Sequence, residues 1–188
     1  ACRRGEWTGP TPALAPGYAQ ANLVIVPREY AFDFLLFCQR NPRPCPLLSV
    51  TDAGRFEVDE LAAGADLRTD LPRYRVWEQG RLVDEPTDVL PLWRNDFVSF
   101  LIGCSFTFDT ALLRAGLPVR HIEQNLNVPM YRTSTPCRAA GVFGGPLVVS
   151  MRPLTLSQAG EATRITSRFP HFHGAPLHIG APGQIGIQ

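Results

Sequence analysis

The sequence contains no lysine. All 18 of its basic side chains are arginine. Without lysine there is no P-loop cation and no amine for a Schiff base, so P-loop phosphoryl transfer and lysine-aldimine chemistry are excluded. There is also little excess charge. The 17 acids leave a net charge of +1, which gives no electrostatic footprint for nucleic acid or for an anionic membrane. No apolar run reaches the length of a membrane-spanning helix, and no charged-then-apolar leader opens the chain. The first residue is Ala1 rather than methionine, so the natural start is expected upstream. The five cysteines, Cys2, Cys38, Cys45, Cys104 and Cys137, are odd in number and lack C-x-x-C spacing. That argues against a secreted disulfide framework or a zinc knuckle and favours reduced thiols in the cytoplasm.

What is present fits a globular protein. The 188 residues are 45% hydrophobic and 19% charged, enough for one large domain or two small interleaved ones. Residues 1–20, rich in Gly, Pro, Thr and Ala, read as an extended arm. ANLVIVP (21–27) reads as a buried strand, 29–41 as a helix stopped by NPRPCP, and LLSV (47–50) as a second strand. Strand, helix, strand points to an α/β layer. Residues 65–83 read as extended segments around a turn at Gly80, with the acids and arginines of DLRTDLPRYR as an ion-paired edge. Residues 89–103 are expected to be helical. TFDTALLRAG reads as a further helix stopped by Gly116. Residues 121–133 are expected to be extended, GPLVVSMRPL (145–154) a strand, 156–169 a helix and HGAPLHIG (173–180) a final short strand.

Two segments concentrate chemistry. In GCSFTFD (103–109), Ser105 or Thr107 is positioned to cap a helix, with Asp109 in its first turn. The alternative is a reactive site. Cys104 at a helix N-terminus would have its thiolate favoured, and the free amides there could form an oxyanion hole. In RHIEQNLNVPMYRT, a strand would set His121 and Glu123 on one face as an acid–base pair. A surface His–Glu pair is the plainer reading. Arg132 and Arg152 each follow an apolar or aromatic stretch. Either could hold a carboxylate bidentately, or pair with an internal acid. Arg132, restrained by Pro129 and flanked by Tyr131, is the preferred anchor, with Arg152 expected to be paired internally. His171, His173 and His178 fit no standard zinc spacing, so no metal is expected.

The stretches APGYAQANLVIVP, FCQRNPRPCPLL, ADLRTDLPRYRVW, FLIGCSFTFD, NVPMYRT, GPLVVSMRPL and HGAPLHIG occur in order, from about Thr8 to the end of the chain. Together they resemble the D-glutamate cyclase family, hydro-lyases formerly of unknown function. The resemblance implies a layered, mixed-sheet α/β domain with an intertwined smaller α+β sandwich. Residues 1–100 would form the layered part with its arm. Residues 101–188 would form the sandwich part with most site motifs, or the two would make one compact unit. It implies a carbon–oxygen lyase of amino-acid metabolism acting on a small carboxylate substrate. Animal members cyclise D-glutamate to 5-oxo-D-proline. The sequence differs from the family pattern in carrying Asp109 where glutamate is usual. The pattern also continues, with a PxYGD-like stretch, beyond the point where this chain ends in GQIGIQ. On that ground the alternative is a shortened, non-catalytic member that binds a small acid or a partner protein.

Lactam formation needs a carboxylate anchor, a base for the amine, donors for the developing oxyanion and an acid for the departing oxygen. Cys104, Ser105, His121 and Glu123 are the candidate catalytic residues. Thr107, Asp109, Tyr131, Arg132, Arg152, His173 and His178 are the candidate substrate-binding residues. No organic cofactor is expected. The expected partner is the small substrate alone, without nucleic acid or membrane, and a homodimer is compatible with this reading. A cysteine-dependent hydrolase built on Cys104 lacks a local signature.

Overall fold

The computed structural model describes residues 1–12 and 14–187. Ala13, in the expected arm, and Gln188, the last residue, lie outside the described residues. The fold is α+β. Its central element is β5 (Phe97–Gly103), flanked by β1 (Ala21–Pro27) and β2 (Leu47–Val50) in a three-stranded antiparallel sheet. The register runs from Ala21 opposite Gly103 to Pro27 opposite Phe97. β1 is an edge strand, where a terminal proline removes no ladder hydrogen bond that the sheet needs.

Helix α1 (Arg28–Arg40) follows β1 directly and packs on one face of the sheet. Val98, Phe100 and Ile102 point to that face and meet Phe34 and Cys38. The rings of Phe34 and Phe100 meet edge-on at 4.8 Å. Leu101 points the other way, against Val58 and Leu67. β5 is therefore covered on both faces, which is why its sequence is a nearly unbroken apolar run rather than an alternating one. Residues 89–103 do not form the expected helix. They give a short 3-10 turn at Leu90–Leu92 and then β5. A seven-residue apolar run fits a buried strand or a helix segment equally well by periodicity, and pairing with both neighbours decides for the strand.

The chain leaves β5 at Gly103 and enters α2 (Phe106–Arg114). Gly103 has a steric reason. A Cβ there would run into the backbone carbonyl oxygen of His171, on the 3-10 turn Pro170–Phe172. At the far end of α2, Gly116 adopts φ +73°. Its N–H donates to the Leu113 carbonyl and that of Leu117 to the Leu112 carbonyl, the helix stop expected of this glycine. Helix α3 is a single turn (Arg120–Glu123), and β6 (Met130–Pro136) and β7 (Pro146–Ser150) form an antiparallel pair. Helix α4 (Leu156–Thr166) opens with a capping box between Thr155 and Gln158 and packs on α2 through Phe108, Leu112, Ala162 and Ile165.

Three other expectations change. Residues 121–133 are not extended throughout, because the first three belong to α3. Residues 173–180 form loop rather than a strand, bounded by the 3-10 turns Pro170–Phe172 and Pro182–Ile185. The hairpin around Gly80 is present as β3 (Val76–Glu78) and β4 (Arg81–Asp84). The charges of residues 66–75 lie in the turns before it, where Asp66 pairs with Arg68 at 2.7 Å and Asp70 with Arg3 at 2.5 Å. Among the described residues no helix is long and apolar enough to cross a membrane.

Candidate active site

Asp109 is in the first turn of α2 and is fully buried. An isolated carboxylate would be costly there, and it persists because it has two partners. Arg152, two residues beyond β7, donates from Nη2 to Asp109 Oδ1 at 2.7 Å. His121, on α3, lies with Nε2 3.1 Å from Asp109 Oδ2. An ionised carboxylate only accepts hydrogen bonds, so Nε2 carries the proton and Nδ1 keeps the lone pair. Among the described residues Nδ1 has no hydrogen-bond partner. The Phe106 ring stacks against the imidazole at 5.8 Å, fixing its plane.

Burial is the largest influence on His121 and lowers its pKa. The Asp109 carboxylate opposes this, and the Arg152 guanidinium reinforces it. The result is an oriented imidazole that is neutral at pH 7, the form a general base needs. Arg152 also donates from Nη1 to Ser150 Oγ at 3.2 Å and lies 5.1 Å from the Phe108 ring centroid. Among the described residues its buried Nε has no partner.

His121 and Arg152 form part of the wall of a cavity of about 350 Å³, together with Arg120, Asn127, Tyr131 and Met151. That volume suits a small metabolite. Arg120 was not singled out from the sequence. Its position beside His121 at the start of a one-turn helix becomes meaningful only once that helix turns toward β6. Among the described residues, no three His, Cys, Asp or Glu side chains converge in a way that could hold a metal ion.

The GCSFTFD residues take other roles. Neither hydroxyl caps α2. Ser105 makes no side-chain cap bond. Thr107 Oγ1 instead accepts the Gln20 N–H at 2.9 Å, tying the N-terminal arm to the helix. The Cys104 N–H donates to the Gln20 carbonyl at 2.9 Å. Burial pushes the Cys104 thiol up, the Phe106 amide opposes that, and the Asp109 charge adds to it. A thiol held protonated at neutral pH is a poor nucleophile.

Glu123 is not on one strand face with His121. In α3 the imidazole turns inward, while Glu123 is exposed and accepts the Val119 N–H at 3.1 Å, capping its own helix. Arg132 is exposed on β6, and alternation along the strand sets it opposite Tyr131, away from the cavity wall. His173 has φ +76° and its Nδ1 lies 2.9 Å from the Arg43 carbonyl. Burial lowers its pKa, and the Arg152 charge adds to the effect. His178 Nε2 lies 3.1 Å from the Ala181 carbonyl, a local loop contact. The structure thus brings together Asp109, His121, Tyr131 and Arg152, and sets Glu123, Arg132 and His178 apart from them.

Fold and site define an α+β protein with a buried, carboxylate-oriented imidazole beside a cavity of about 350 Å³. The chain belongs to the D-glutamate cyclase family of hydro-lyases. A family model described as D-glutamate cyclase matches residues 98–188. A protein of Rubrobacter xylanophilus is 61% identical over 186 residues, 99% of this chain and 72% of that protein. One from Stutzerimonas stutzeri is 60% identical over 185 residues, 98% of this chain and 70% of its own length. One from Natranaerobius thermophilus is 58% identical over 186 residues, covering 99% and 71%. All three carry the name "Putative hydro-lyase".

Proposed function

We propose that this chain is a carbon–oxygen lyase for a small amino acid bearing two carboxylates, and that its reaction is cyclisation of D-glutamate to 5-oxo-D-proline or a closely related dehydration. The observation that carries the reading is the Asp109 carboxylate holding His121 Nε2 at 3.1 Å and Arg152 at 2.7 Å beside a cavity of about 350 Å³. His121 Nδ1 is the base that takes a proton from the substrate ammonium group. The freed amine attacks the γ-carboxyl carbon. The N–C bond forms, the C–O bond breaks, and both protons lost from nitrogen end on the departing water. Arg152 and Arg120 hold the carboxylates, and the Tyr131 hydroxyl donates to the developing oxyanion. Asp109 touches no substrate and keeps the imidazole in its working tautomer.

The test is incubation of the purified protein with D-glutamate and, in parallel, L-glutamate, with chiral chromatography of the products. 5-Oxo-D-proline from the D-isomer, abolished in His121→Ala with an unchanged circular dichroism spectrum, is the expected result. D-Glutamate binding without turnover would favour the non-catalytic member. Neither binding nor product would overturn the substrate assignment.

A further inference from the structure

The segment FCQRNPRPCPLL takes no part in the acid–base site, yet it brings two cysteines together. Cys38 is in the last turn of α1 and is buried; Cys45 is in the loop before β2 and is half-buried. The two side chains belong to the same packed cluster. They also line one cavity of about 270 Å³, together with Pro46, Leu47 and His171. None of its lining residues is shared with the cavity at His121. The loop is anchored on both sides of Cys45. The Cys45 N–H donates to the Asn41 carbonyl at 3.0 Å, and the Gly103 N–H donates to the Pro46 carbonyl at 2.8 Å. Asn41 is itself buried, donating to the Phe37 and Arg138 carbonyls at 2.7 and 2.8 Å.

The pair is also polarised. Each thiol acts on the other: Cys45 and burial raise the Cys38 thiol, and Cys38 lowers that of Cys45 against the effect of burial. A single buried cysteine is explained by packing alone. Two thiols in one packed cluster, one of them on a restrained loop and both lining a cavity several water molecules in volume, are placed for chemistry with each other.

We propose that Cys38 and Cys45 are an oxidisable dithiol, in which Cys45 reacts first with a peroxide entering this cavity and Cys38 closes an intrachain disulfide. The Cys45 thiolate attacks one peroxide oxygen. The O–O bond breaks, leaving a sulfenic acid and, from hydrogen peroxide, one water. The Cys38 sulfur then attacks the sulfenic sulfur. The S–S bond forms, and the hydroxyl leaves with the Cys38 proton as a second water. Two thiols are oxidised for one peroxide reduced. The competing resolving residue is Cys137, whose thiol is raised by burial and further by the nearby Cys45 sulfur.

The experiment is exposure of the intact protein to a small excess of hydrogen peroxide, followed by alkylation, intact mass and peptide mapping. A loss of two hydrogen masses with Cys38 linked to Cys45 is expected. Cys38→Ser should stop at a dimedone-reactive sulfenic acid on Cys45. In Cys45→Ser, Cys38 should remain a free thiol under the same exposure. Cys137→Ser should form the disulfide as the unaltered protein does. The wild-type map stands even if a variant fails to fold. A Cys45–Cys137 linkage, sulfinic acid on Cys45 without linkage to Cys38, or unchanged thiols throughout would each overturn the proposal.

Discussion

The Asp109 carboxylate, in the first turn of α2, lies 3.1 Å from Nε2 of His121 on α3, with both side chains almost wholly buried. This contact makes the imidazole directional. It assigns the proton to Nε2, leaves Nδ1 as the basic nitrogen and, with Arg152 on the other oxygen, satisfies a carboxylate with no access to water.

Replacing Asp109 by asparagine keeps the volume and removes the charge. Arg152 is then left mostly buried without a counter-ion. Breaking a buried pair from one side costs about 3–5 kcal/mol; the retained amide oxygen places this variant at the lower end of that range. Urea denaturation reads the loss directly. Proton NMR of the imidazole should show the His121 pKa falling further, because the carboxylate that favoured its charged form is gone.

Stability should depend on pH through His121 and His173. Both have folded-state pKa values below the ordinary histidine value, chiefly through burial. The unfolded chain therefore takes up protons first as pH falls. Their contribution is fully present above the unfolded value of about 6.5 and is lost as pH drops from there toward the lower folded values. Urea midpoints between pH 8 and 5 should fall in wild type, and less steeply in His173→Gln. Equal slopes would contradict this.

Gly103→Ala should destabilise the protein by about 1–3 kcal/mol, the cost of overpacking. The added methyl meets a backbone carbonyl on Pro170–Phe172, which has no flexible side chain to yield. The thermal midpoint should fall, and the His173 imidazole resonances should shift as that turn is displaced. Gly183→Ala, where a Cβ meets nothing within 4 Å among the described residues, is the matched control for methyl addition.

Arg152 and Arg132 should separate in ligand binding. Arg152 is in the cavity wall and Arg132 is not. Arg152→Lys loses the planar fork and should weaken D-glutamate binding by roughly 1.5–3 kcal/mol, the range for hydrogen bonds to charged groups. Arg132→Lys should bind as wild type does. Titration calorimetry on the three proteins decides it, and a larger loss at Arg132 would reverse the assignment.

Much of the fold was legible in the sequence because local chemistry specifies it. The β-branched run 21–27 forms β1, the helical spacing after it forms α1, and Gly116 ends α2. The family resemblance was legible because its motifs are long and ordered. The strand character of Phe97–Gly103 was not, since its apolar run satisfies either period until β1 and β2 pair with it. Nor was the candidate site. Asp109 could be read as a first-turn acid, and His121 and Arg152 as separate candidates. Their convergence spans 12 and 43 residues of chain, and it depends on α3 turning one imidazole inward and on β7 delivering one guanidinium. Periodicity and capping report on neighbours within a turn or a strand. Which buried charge meets which partner is decided when the packed elements exclude water and each polar group must bond to what remains.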